Sequence, residues 1–273
     1  VIEGVMMRGG QAVAIAMRAP DQQIVIHTEK LSGIYRSRIA KIPFLRGLVV
    51  LWDALGLGMR ALTISANTQT GEEEKIEGPV LYLTLGISLT LGIGLFFLLP
   101  AAAGQLAERY LGLNAWWGNL VEGLVRLGLL VGYIWAVGRV PDIRRVFAYH
   151  GAEHKTINAF EAGADLTPES VATFSLEHPR CGTAFLLTLV LVSVLLFSLL
   201  GPLPMFWRLS SRILLLPVIA GLAYEYIRWT ANNIESPLVR VLVRPGLALQ
   251  RLTTREPDLP MLEVAIAAFN AMK

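Results

Sequence analysis

Residues 79–99 read PVLYLTLGISLTLGIGLFFLL, an uncharged run of the length that crosses a bilayer. A spanning helix needs about 20 consecutive apolar residues at a rise of about 1.5 Å each. Three further blocks extend this reading. Trp116 to Gly138 is apolar except for Glu122 and Arg126, which stand four apart and can pair within one helix. Thr183 to Leu200 is uncharged and rich in leucine, and Arg212 to Ile227 is shorter, broken at Pro217, with Glu225 near its end. The whole chain agrees: 273 residues, 54% hydrophobic, only 16% charged, against about a quarter charged in soluble domains. The expected fold is a mainly α, multi-spanning membrane helix bundle with a small N-terminal β-rich cytosolic region.

Lysine and arginine counts orient the spans, because cytoplasmic connections carry the excess. Segment 1–78 has nine, 139–182 has five, and the tail from 228 has six; the connections 100–115 and 201–212 have one and two. Both termini and segment 139–182 are therefore expected on the cytosolic side of the cytoplasmic (inner) membrane. The net charge of +3 follows from this topology and forms no aromatic-interleaved stripe, so no nucleic-acid partner is expected; membrane lipids are, together with a membrane-protein or lipid-like partner. Val1 to Arg18 lacks a basic stretch followed by a long apolar core, so no cleavable signal peptide is expected. A single cysteine excludes an internal disulfide framework and fits a reducing compartment.

Outside the spans, Val13 to Met17 and Ile24 to His27 are β-prone runs separated by the turn signal Arg18-Ala19-Pro20-Asp21-Gln22. A basic stretch follows, Lys30, Arg36, Arg38, Lys41 and Arg46. In Phe44 to Asn67 the charges Arg46, Asp53 and Arg60 recur every seven residues and share one helical face. That stripe predicts an interfacial or protein-packed helix and not a lipid-facing span. The expected organisation is 1–43 β-rich and cytosolic, 44–67 the amphipathic helix, 79–138 two spans, 139–182 a cytosolic segment, 183–229 two further spans, and 230–273 a cytosolic C-terminal region. Gly128-Leu-Leu-Val-Gly132 is a small-xxx-small pattern; helix packing within the chain is its simpler explanation, a homo-oligomer the alternative.

The chemistry concentrates in 139–182. Three of the four histidines and the only cysteine fall between positions 150 and 181. On a helix, His150, Glu153, His154, Ile157 and Glu161 line one face, and His150 and His154 lie about 6 Å apart along the axis. Two imidazoles one turn apart can each place a nitrogen about 2.0–2.1 Å from one zinc ion. His-x-x-Glu-His is also the inverted order of the zinc-protease helix motif, whose glutamate is the base. Glu161 is placed to be a carboxylate ligand or to orient a histidine. His178-Pro179-Arg180-Cys181 then offers an imidazole and a thiol on a turn at the mouth of the third span, and sulfur favours zinc over magnesium or calcium. A histidine pair alone often caps a helix or meets headgroups. The second pair, with the only cysteine, moves the reading to a metal site with His150, His154, His178, Cys181 and Glu161 as candidate ligands and Glu153 as candidate base. His27 stands alone on a short strand and receives no role.

Val1-Ile2-Glu3-Gly4-Val5-Met6-Met7-Arg8-Gly9, Ala148 to Glu161, His178-Pro179-Arg180-Cys181-Gly182-Thr183, and Leu252-Thr253-Thr254-Arg255-Glu256-Pro257 with Glu263-Val264-Ala265 together resemble the YqhQ-like bacterial membrane family (domain of unknown function 1385). The resemblance spans nearly the whole chain. It departs at Gly10, where a proline is more usual. It implies a multi-spanning membrane protein labelled a metal-dependent enzyme, and the metal label would fall on His150, His154, His178 and Cys181; it supplies no substrate.

Three functions follow as expectations. Three protein ligands with Glu153 as base make a zinc-dependent hydrolase at the cytosolic membrane face. Four protein ligands close the site and make a non-catalytic adaptor with a structural zinc. A transporter or channel rests only on Glu122, Arg126 and Glu225.

Overall fold

The computed structural model describes residues 1–31, 42–70 and 79–273; Arg36, Arg38 and Lys41 of the basic stretch, and Lys75 of the charge count, lie outside them. The chain opens with three antiparallel strands, β1 (Gly4–Arg8), β2 (Ala12–Arg18) and β3 (Ile24–Lys30), in that spatial order. Met6 pairs with Ile15, and Ile15 with His27. The central strand carries five consecutive buried residues, Val13 to Met17, because both of its faces are covered. Val13, Ile15 and Met17 face the first helix, α1 (Leu45–Thr70), through Leu57 and Ala61. Ala16 on the other face joins Val5 and Met7 in a core built with three later helices. The alternation is the period-2 geometry of a strand, and continuous apolarity marks a strand buried on both sides.

The heptad charges of α1 each meet a partner. Arg46 forks onto Glu225, with Nε donating at 2.7 Å; Asp53 pairs with Arg8 of β1 at 3.0 Å, and Arg60 with Glu29 of β3 at 2.9 Å. All three charges of α1 therefore have partners within the chain, Arg60 in an exposed pair, and the length and apolarity of the helix also suffice for a span.

The remaining helices are α2 (Pro79–Ile93), a π-helical turn (Gly94–Leu98), α3 (Leu99–Leu111), α4 (Ala115–Val137), α5 (Pro141–Glu161), α6 (Pro168–Ala172), α7 (Gly182–Leu199), α8 (Met205–Leu214), α9 (Leu216–Asn232), α10 (Pro237–Thr253) and α11 (Leu259–Met272). Among the described residues four helical runs are long and apolar enough to cross a membrane: Leu45–Gln69, Tyr82–Leu111, Ala115–Val137 and Gly182–Leu199. A fifth arises if α8 and α9, which meet at 44°, form one broken span.

Two runs depart from the sequence reading. The first, expected to close near Leu99, continues through α3 to Gly112, which ends it at φ 64°. Pro100 cannot donate to the helical ladder and its ring crowds the preceding turn; the widened turn before it, in which Leu99 N–H bonds Gly94 O, accommodates the ring. The fourth, expected as Arg212 to Ile227, breaks at Leu215 instead, with Pro217 in the first turn of α9, where a missing N–H costs nothing. Arg208 and Arg212 consequently sit on a helix, buried against α4, and not in an open connection.

Candidate metal centre

α5 starts at Pro141 and presents His150, Glu153, His154 and Glu161 along one face toward a cleft of about 600 Å³. The chain then doubles back and is clasped to α5 by its backbone carbonyls. Lys155 Nζ donates to Ala172 O and Phe174 O at 2.8 Å each, and Asn158 Nδ2 donates to Ser175 O at 2.8 Å and Glu177 O at 3.0 Å. Gln250 of α10 holds the next residue from both sides: its Oε1 accepts the His178 N–H at 3.0 Å, and its Nε2 donates to His178 O at 2.8 Å. This clasp delivers Cys181 to the N-cap of α7, where its sulfur accepts the Thr183 N–H at 3.4 Å.

Three of the expected ligands meet. Nitrogens of His150 and His154 and the sulfur of Cys181 lie within 4.8 Å of one another. His150 Nδ1 is 2.9 Å from Thr253 O, and His154 Nδ1 is 2.6 Å from Leu176 O. A carbonyl only accepts, so both Nδ1 atoms carry the proton, and each Nε2 presents a lone pair. That is the arrangement metal-bound histidines use, with the far nitrogen tied to a carbonyl or carboxylate. His150 Nε2 is 3.3 Å from Cys181 Sγ, whose S–H points at that lone pair when no ion replaces the proton. With Zn–N about 2.0–2.1 Å and Zn–S about 2.3 Å, adjacent ligands of a tetrahedral zinc stand roughly 3.3–3.6 Å apart. The His150–Cys181 pair stands at that spacing and all three donors lie within 4.8 Å, and nitrogen with sulfur is the donor type that soft divalent ions take.

His178 and Glu161 lie at the edge of this cluster. His178 Nδ1 accepts the Arg180 N–H at 3.3 Å, which leaves the proton on Nε2, 3.6 Å from Glu161 Oε2. Its ring centroid is 5.8 Å from that of His154. Burial lowers the His178 pKa and so favours the neutral ring, against the opposing pull of the Glu161 carboxylate. Glu161 also holds Arg180 in a close ion pair. Glu153 lines the same cleft and, with His150, an adjoining recess of about 400 Å³; burial raises its carboxyl above the ordinary carboxylate range, only partly countered by His150.

Sequence reasoning missed Lys155, Asn158, Gln250 and the carbonyl of Thr253. Lys155 and Asn158 sit inside the motif itself, and a lysine 4% exposed in mid-helix signals backbone partners. Thr253 lies in the Leu252 to Pro257 stretch, whose role periodicity did not reveal.

A family model described as "Protein of unknown function (DUF1385)" matches residues 42–273. The "Uncharacterized protein YqhQ" of Bacillus subtilis (strain 168) is 35% identical over 292 aligned positions, covering 100% of this chain and 90% of that protein. No solved structure matches the chain at a significant level.

Proposed function

The chain belongs to the DUF1385 family, and on that premise we propose that it is a membrane-embedded, metal-dependent hydrolase with His150, His154 and Cys181 as the ligands. One observation carries the reading: two imidazoles with tautomers fixed by backbone carbonyls present their lone pairs, beside a thiol, to an open cleft that also contains a carboxylate. Three protein ligands leave a coordination position for substrate, as catalytic zinc sites do. These three residues would hold a zinc ion, which would supply Lewis acidity and lower the pKa of water to about 7. Glu153 takes the proton of the attacking water and returns it to the leaving group. Arg180, held by Glu161 at the cleft, orients a polar part of the substrate. In this reading the apolar helices span the inner membrane, with lipids around them, and the cleft and both termini lie on the cytoplasmic side, which the excess of basic residues supports.

The test is metal content and turnover of full-length protein purified without chelator, with a soluble para-nitrophenyl acyl ester as probe. Wild type carries about one zinc per chain and hydrolyses the ester. Glu153→Gln keeps the zinc and loses at least a hundredfold in rate, within the range general bases supply, whereas His154→Ala loses the zinc. If both variants shed metal and stability alike, a closed structural site replaces the hydrolase. A wild type without stoichiometric metal removes both.

A further inference from the structure

The cleft has two unlike walls. One carries the His–Cys cluster and Glu153. The other is apolar and built by Val50, Ala54 and Leu57 of α1 with Phe269 and Met272 of α11. On its far side α1 turns Trp52, Leu55 and Leu62 outward at 78%, 59% and 45% exposure, a helical spacing that collects them on one stripe. The charged residues of α1 are engaged by Glu225, Arg8 and Glu29. Ala54 is exposed and lines the cleft, and half-buried Leu51, one helical turn from both Ala54 and Leu55, joins it to the outward stripe. The apolar surface is therefore continuous from the outward stripe into the cleft.

An amphipathic helix with exposed tryptophan and leucine lies in the bilayer interface, buried about 5–10 Å at the boundary between headgroups and acyl chains. That depth is where glycerolipids hold their ester carbonyls. A small soluble substrate has no use for an apolar wall that leads out onto the bilayer; an acyl chain does. Resting on the hydrolase reading above, we propose that the substrate is a membrane glycerolipid acyl ester, which slides off the bilayer past Ala54. Its chain lies against Val50, Leu57 and Phe269, with Met272 supplying an adaptable contact, and its carbonyl reaches the His–Cys cluster. The oxygen of water adds to the carbonyl carbon while its proton passes to Glu153. The bond from that carbon to the glycerol oxygen then breaks, the oxygen takes the proton, and a free fatty acid and a lipid alcohol leave.

The experiment uses the full chain in nanodiscs of phosphatidylglycerol and phosphatidylethanolamine doped with a phospholipid bearing a diazirine in its acyl chain. Glu153→Gln protein, which does not turn over, is photolysed and the labelled residues are assigned by fragmentation. Label is expected on Phe269 or Met272, inside the cleft, as well as on the outward stripe. Ala54→Trp, which narrows the entrance, cuts the cleft label at least tenfold while zinc content and melting temperature stay at the parent values. Label confined to Trp52, Leu55 and Leu62, or indifferent to Ala54→Trp, overturns the proposal. Metal-loaded wild type is assayed in parallel for fatty acid released from the nanodisc and for the soluble ester. Cleavage of the soluble ester alone, without cleft label, ends the lipid assignment and leaves the hydrolase intact. Cleft label with neither ester cleaved ends the hydrolase reading and retains an acyl-binding cleft.

Discussion

Two polar clusters lie in this molecule, one among the apolar helices and one beside the sheet, and they are built on opposite plans. In the first, Glu122 of α4 accepts from Arg126 at 2.8 Å and from Arg212 at 2.7 and 2.9 Å, and Arg208 reaches Glu108 at 2.9 Å. Asn119, Ser193 and the Phe96 carbonyl take further donors, the last within the π-helical turn, and the Arg212 guanidinium lies 4.1 Å over the Phe197 ring. Every charge there is spent on a neighbour within the protein. In the second, the nitrogens and sulfur are oriented from behind by Thr253, Leu176 and Thr183 and face a cavity. A network closed on itself fastens helices; one supported from behind and open in front is arranged for a ligand. Glu122, Arg126 and Glu225, the residues on which a transporter reading rests, are all ion-paired within the protein.

The sharpest way to break this contrast is Glu122→Gln. It leaves three buried guanidiniums short of their shared anion, and breaking a buried ion pair from one side costs about 3–5 kcal/mol. The expected result is a large drop in thermal midpoint and in monodisperse yield in detergent, with the zinc content of the protein that remains folded unchanged. Unaltered stability with lost turnover would instead make this knot a working part.

Metal removal probes the other cluster. A ligand that binds only the folded state stabilises it by about 2.7 kcal/mol at a hundred times its dissociation constant. Chelation should lower the melting temperature of wild type, and it should leave Cys181→Ser or His154→Ala almost unmoved, since they have little metal to lose. Differential scanning fluorimetry with and without added zinc reads this directly. Next in size is Gln250→Ala, which touches no ligand but frees the His178 backbone. A positioning role predicts a fall in zinc affinity of about 10–100-fold, the usual consequence of losing an outer support, measured by competition with a chromophoric chelator. Unchanged affinity with lowered stability would make Gln250 a fold residue only.

These variants also mark what the sequence could and could not say. Uncharged runs such as residues 79–99 announce their helices because length and apolarity alone decide them. The clustering of His150, His154 and Cys181 was legible because imidazoles and thiols are scarce in this chain and fall close together in it. Arg208 and Arg212 were not, since their partner Glu122 lies 86 and 90 residues away and no periodicity records a contact across that distance. His178 belongs to the right turn, but the Arg180 N–H occupies its Nδ1, a local backbone event that a motif does not encode. Lys155, Asn158 and Gln250 escaped for a related reason: their partners here are mainly backbone groups, which every residue possesses.

The smallest effect belongs to a third pair, which sets the scale for the other two. Glu3, in the turn just before β1, accepts from Arg145 Nε and Nη2 at 2.6 Å each and from the Tyr149 hydroxyl at 3.3 Å, fixing the sheet to α5 just ahead of His150. The Arg145 hydrogen bonds hold the Glu3 carboxyl below its ordinary value, against an opposing cost of burial. A carboxyl depressed in the folded state stabilises the fold above its unfolded pKa, near 4.5, and loses that contribution as pH falls through the folded value. Arg145 is half exposed, with 54% of its side chain accessible, so solvent screening confines the pair to about 1 kcal/mol or less. Glu3→Gln should therefore melt slightly below wild type from pH 6 to 7, the gap closing as the pH drops below 4.5. A gap that widened on acidification would mean that the pair opposes folding. A gap as large as that of Glu122→Gln would mean that enclosure by apolar helices is not what gives the buried knot its weight.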